Sequence, residues 1–202
     1  MAYMNGINVT RSKGGAPFSG GANTYRIENA YATALFAGDP VKVSAGYVEL
    51  GVNTGTITGV FLGVSYIDGL TLRPVEQNYW TASTSASPTL KEGHAGPYAL
   101  VADDPNIRMI IQANVSIPIT QNGTLARISG AGAGSTVTGR STARLDTTGT
   151  AVSAGNAMFR IVGVPYMPLA VSAGASPGGS YFNTWDVANT WVEAVWSNHA
   201  HG

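Results

Sequence analysis

No window of about eleven residues in this chain places apolar side chains at helical spacing. The apolar residues fall instead into short β-leaning runs closed by Gly, Pro, Asn or Asp. Val41 and Val43, then Val48 and Leu50, form two alternating runs around Gly46. A longer run over residues 56–67 ends at Asp68-Gly69, a dipeptide suited to a tight hairpin because both positions tolerate positive φ. The return strand is expected over 70–75. Runs at 98–101 and 107–112 flank the turn sequence Asp103-Asp104-Pro105-Asn106. Residues 114–120 read as an edge strand, since Pro118 cannot donate to a ladder. Asn122-Gly123 is a second hairpin signal, followed by strands expected over 125–128, 137–145, 158–164 and 191–196.

These runs predict an all-β chain with an antiparallel β-barrel or β-sandwich-like core and long Gly/Ser/Ala loops. Residues 1–30 show no period and contain Gly14-Gly15 and Gly20-Gly21, so they read as an extended N-terminal arm. A leader folded back on its own domain is the other reading of that segment. Residues 31–170 form the core. Residues 171–202 form a linker and a Trp-rich strand that completes the core or a subunit interface.

Composition narrows the function. Of 202 residues 44% are apolar, enough for an ordinary core, but only 11% are charged, where about a quarter is usual. Eleven basic residues balance eleven acidic ones. A chain without net charge suits a surface packed against copies or partners better than a dispersed monomer. The balance also argues against nucleic acid, because no basic stripe is visible in the sequence. There is no cysteine, so disulfides and thiolate sites are excluded. No run of about 18 apolar residues suggests a membrane span, and residues 1–6 lack the apolar core of a signal peptide. Synthesis in a cytoplasm, without a membrane partner, is expected.

Candidates for chemistry are few. His94 sits in a loop sequence without a nucleophile motif, and His199 and His201 lie in the tail. A His-x-His pair without a third ligand is a weak metal site. Asp103-Asp104 is the one adjacent carboxylate pair, and such a pair before Pro caps backbone amides more readily than it handles protons. The Gly130–Thr136 segment has glycines at alternate positions but lacks the Lys of a phosphate loop. No catalytic residue, metal site or cofactor is expected, and the chain does not read as an enzyme. Along 191–196, strand alternation puts Trp191 and Trp196 on opposite faces, which predicts a strand buried on both sides, inside the fold or at a subunit contact.

One internal echo is present. Val60-Phe61-Leu62-Gly63-Val64-Ser65-Tyr66 and Arg160-Ile161-Val162-Gly163-Val164-Pro165-Tyr166 share two apolar residues, Gly, Val, any residue and Tyr. The pair marks either two equivalent strands with Gly at a bulge or a chance repetition in a Gly/Val-rich chain.

Four segments carry a resemblance. Gly38-Asp39-Pro40-Val41-Lys42-Val43 is a turn feeding a strand. Residues 101–113 are an Asp-Asp-Pro-Asn turn feeding Ile107-Arg108-Met109-Ile110-Ile111. Residues 157–165 and 190–199 supply the two late strands. In this order, over residues 31–199, the chain resembles the decoration (cement) proteins that stud the heads of tailed bacteriophages. The resemblance implies a β protein that binds the major capsid protein on the capsid exterior, as a homotrimer, and reinforces the shell without cofactor or chemistry. It also implies that the arm, with Tyr3 and Tyr25, reaches a neighbour or the capsid, and that Trp191 and Trp196 lie at or beside the trimer contact. The chain departs from such proteins after the Asp-Pro turn, where Arg108 and Met109 stand in place of acidic residues. A head-fibre or adhesin-type module that binds glycans is the alternative, and it predicts exposed aromatics around a shallow groove. A β-barrel hydrolase is the third class, and it predicts a pocket pairing His94 with a carboxylate.

Overall fold

The computed structural model describes residues 6–52, 56–84, 86, 96–147, 157–165, 185–186 and 189–200. In chain order the strands are β1 (Asn8–Ser12), β2 (Asn23–Arg26), β3 (Leu35–Phe36), β4 (Pro40–Ser44), β5 (Tyr47–Leu50), β6 (Gly59–Ile67), β7 (Pro74–Gln77) and β8 (Tyr79–Trp80). They continue as β9 (Tyr98–Ala102), β10 (Ile107–Gln112), β11 (Leu125–Ser129), β12 (Gly134–Ser135), β13 (Arg140–Ser141), β14 (Arg144–Asp146), β15 (Phe159–Gly163) and β16 (Trp191–Trp196).

Two six-stranded antiparallel sheets dominate. Sheet I has the order β1-β10-β16-β15-β11-β14, and sheet II has the order β2-β9-β6-β4-β5 with β7 also paired to β6. The fold is all-β and sandwich-like, and among the described residues neither sheet closes into a barrel. Each sheet packs one face on a hydrophobic cluster. Beneath sheet I lie Met109, Ile111, Ile128, Phe159, Ile161, Val192 and Trp196. Beneath sheet II lie Leu35, Val41, Phe61, Val64, Trp80 and Val101.

The chain passes from one sheet to the other at the Asp103-Asp104-Pro105-Asn106 turn, which joins β9 of sheet II to β10 of sheet I. The N-terminal segment makes the same passage beside it. β1 pairs with β10, with Asn8 opposite Ile110 and Ser12 opposite Ile107, and β2 pairs with β9, with Asn23 opposite Val101. The described part of the N-terminal segment is therefore built into the edges of both sheets of its own chain, as the folded-back reading of it has it. The unmet N–H and C=O groups at a sheet edge are a strong local attraction for any nearby extended chain. Lys13 N–H donates to the Asn106 carbonyl at 2.6 Å, tying the two passages together.

Local chemistry explains other departures from expectation. Asp68 does not close a two-residue hairpin, because its Oδ1 accepts from Leu70 N–H, Thr71 N–H and Thr71 Oγ1. Those bonds hold a wider loop and delay the return strand to β7, where Pro74 faces Ile67. They also hold the Asp68 carboxyl below its ordinary range, the Thr71 backbone bond contributing most. Residues 114–120 form no edge strand. Ile117 is buried, and a 3₁₀ turn, Ile119–Gln121, follows Pro118. The expected strand over 137–145 is divided between β13 and β14.

The internal echo falls on two equivalent features. The β6–β9 register shifts between Phe61 and Gly63, and the β15–β16 register shifts between Ile161 and Gly163. Each sheet thus carries the motif on an inner strand with its glycine at a bulge, where an extra residue bends the strand.

Gly59 is where β4, β6 and β9 close on one another. A Cβ there would stand 2.3 Å from the Ala102 carbonyl oxygen and 2.9 Å from its carbon. Backbone cannot step aside as a side chain can, so Gly59→Ala is expected to cost about 3 kcal/mol, the upper end of overpacking penalties. Gly21→Ala, with nothing within 4 Å, is expected to be near neutral. Comparing the two in urea denaturation checks the assignment.

Candidate functional site

The sheet-switching corner organises the first cluster. Asp104 Oδ1 accepts from Asn106 N–H at 2.7 Å, the capping role expected of this turn. Asp103 does something else. Both its oxygens accept from Asn23 Nδ2, at 3.0 and 2.9 Å, and Oδ2 also accepts from the Tyr25 hydroxyl. Burial, then the bond to Asp103 and its charge, push the Tyr25 phenol up to about 12. Tyr25 therefore fastens β2 to the corner of its own chain. Tyr3 lies outside the described residues, as do His94 and His201.

Trp191 and Trp196 lie on β16 between β10 and β15, at the centre of sheet I. They are 8% and 7% exposed within the single chain, so they offer little area to a neighbour. Trp196 stacks on Phe159 at 5.2 Å between ring centroids, beneath the sheet. The expectation that this strand is buried on both sides holds, and the burial comes from within the chain. His199 is no loose tail residue. It packs on Trp196 at 5.5 Å, and its neighbours Asn198 and Ala200 bond the backbone of Ile57. Among the described residues no group of three His, Cys, Asp or Glu side chains is placed to hold a metal.

The outer face of sheet I is the second cluster. Strand register places Arg108 opposite Val195, Val195 opposite Arg160, and Arg160 opposite Leu125. Arg11 lies opposite Arg108 at one end of this row. At the other end, Arg127 faces Asp146, and Arg144 faces Ser129. Five arginines from five strands thus share one face. These arginines are dispersed in sequence and gathered by register, with Glu193 and Asp146 set among them.

Glu193 lies in this face and is only 7% exposed. Its Oε1 accepts from Arg11 Nε and Nη2 at 3.0 and 2.7 Å, and its Oε2 lies 3.4 Å from Arg108 Nη1. A carboxylate gripped by two guanidiniums offsets the repulsion of arginines placed directly opposite.

A third feature is a cleft of about 530 Å³ on sheet II. Leu62, Leu100 and Tyr98 give it apolar surface, and Thr24, Glu76 and Gln77 supply polar groups. It forms where the Gly63 bulge re-aims β6 against β9. The sequence signals its glycine and its tyrosine but not their convergence.

Comparison with protein-family models, with curated proteins and with solved structures finds no match. Among the described residues no helix is long and apolar enough to cross a membrane.

Proposed function

We propose that this chain is a structural protein of a tailed-phage virion that binds the major capsid protein on the outer capsid surface, as a homotrimer, and reinforces the shell. The observation that carries the reading is the outer face of sheet I. It crosses six strands, which at strand spacing spans about 24 Å, and it mixes half-buried apolar residues with arginines. That is a shape and chemistry for protein contact over a broad area. The segments that carry the family resemblance support it, since residues 107–112, 159–163 and 191–196 are the three adjacent strands β10, β15 and β16 of this sheet. Such a protein acts by mass action. Whatever binds only the assembled shell stabilises it, and symmetry-related contacts add avidity.

The test is co-sedimentation with expanded empty heads of the encoding phage. Pelleting that saturates at a fixed ratio to capsid subunits is expected. Absence of pelleting at micromolar concentration would remove the proposal.

A glycan-binding module on the virion surface is the second reading, and the sheet II cleft favours it. An apolar surface with a tyrosine, rimmed by a carboxylate, an amide and a hydroxyl, suits a sugar face and its hydroxyls. Tyr98→Ala separates the two readings, because it would abolish glycan binding and leave pelleting with heads unchanged.

A further inference from the structure

We propose that the arginine-bearing face of sheet I docks on an acidic patch of a partner protein, with Arg160 at its centre. The partner's identity as the capsid shell rests on the reading above. The charge on the face does not.

Arg160 sits on β15, flanked by β16 and β11, so it lies inside the sheet and away from its edges. It is exposed, and among the described residues its side chain makes no hydrogen bond or ion pair. The carboxylates of this face are committed elsewhere. Glu193 is held by Arg11 and Arg108, and Asp146 faces Arg127 across the β11–β14 ladder and accepts from Asn114. Arg108 and Arg160 flank Val195 in one row, so they stand two strand spacings apart, about 10 Å. Same-sign charges this close oppose folding weakly in water. A carboxylate presented by a partner would meet the Arg160 guanidinium, whose fork matches it. The chain's net charge of zero conceals this segregation.

Between an acidic protein and a nucleic acid, the face favours protein. Val195 and Leu125 alternate with the arginines and are half-buried, giving the apolar component typical of protein contacts. Glu193 and Asp146 interrupt the positive surface, so it is not the continuous stripe along which a phosphate backbone tracks. Trp191, on the same side of β16 as Glu193 and Val195, is too buried to stack on a base.

The experiment uses the full chain, Arg160→Glu, the milder Arg160→Gln, and Lys42→Glu as a control of the same sign change on sheet II, where Lys42 pairs with Glu49 at 3.5 Å. Near-ultraviolet circular dichroism and thermal midpoint check that each variant keeps the wild-type fold. One arm is pelleting with expanded heads. A second is retention at low ionic strength on immobilised poly-L-glutamate and on immobilised duplex DNA. Wild type and Lys42→Glu are expected to be retained on polyglutamate and not on DNA. Arg160→Glu is expected to lose that retention and to raise the half-saturating concentration on heads at least tenfold, with Arg160→Gln intermediate. Unchanged behaviour of Arg160→Glu in both arms, absence of wild-type retention on polyglutamate, or preferential retention on DNA would overturn the inference. Retention on polyglutamate without pelleting on heads would keep the inference and remove the shell as the partner.

Discussion

Trp196→Ala is expected to cost about 3–5 kcal/mol of folding stability, as loss of a large buried aromatic does. Its ring is 7% exposed, stacks on Phe159 and touches His199. Removal would open a cavity beneath sheet I beside Phe159 and His199, which cannot collapse without moving the central strands. The measurement is urea denaturation at two protein concentrations a hundredfold apart. A core residue gives a loss in midpoint that is the same at both. An interface residue gives a loss that shrinks on dilution, because the association it supports contributes less to stability as the subunits separate. A concentration-dependent loss would return Trp196 to the subunit contact that the sequence suggests and that its burial within one chain argues against.

That contrast shows what the sequence discloses. The period-2 pattern at 191–196 puts a tryptophan on each face and predicts a doubly covered strand. It cannot say whether the cover comes from the same chain, since both cases bury the same residues. The strands at 107–112 and 158–164 are legible for a similar reason, because apolar runs bounded by Pro or Asn state their own limits. The N-terminal strands are not legible. Asn8–Ser12 and Asn23–Arg26 are polar edge strands whose partners lie on β10 and β9, and no local signal announces a ladder made from so far away. The arginine face is hidden in the same way. Arg108, Arg127 and Arg160 each occupy an ordinary polar position in an alternating strand. Only the register of β10, β16, β15 and β11 puts them in one field.

The Gly38-Asp39-Pro40 turn gives the second large expectation: the cost of Asp39→Ala rises as pH falls. Asp39 is fully buried. Its Oδ2 accepts from Phe36 N–H at 2.8 Å, and its Oδ1 accepts from Gly132 N–H at 3.1 Å and from the Ser141 hydroxyl. One carboxyl therefore pins β3, the loop before β12, and β13. Two of these partners lie 93 and 102 residues along the chain, so the turn was readable in sequence and its role as a tie was not. Burial pushes the carboxyl from 3.8 up to about 6, and the three donors oppose that rise without cancelling it. A folded-state value above the unfolded one means that the native protein holds the proton more tightly. The stabilisation is fully present below pH 3.8 and is lost as pH rises through about 6. Its size is about 3 kcal/mol. Alanine removes the titration and leaves the three donors without their acceptor, at about 1–3 kcal/mol for each buried group. The difference in unfolding free energy between wild type and Asp39→Ala should therefore be larger at pH 4.5 than at pH 7.5, because only the wild type gains from acidification at this site. Urea denaturation of both proteins at the two pH values measures it, and contributions from the other carboxylates cancel in the difference. A difference that shrinks toward pH 4.5 would mean that the three donors outweigh desolvation and that Asp39 is held as a stable buried anion.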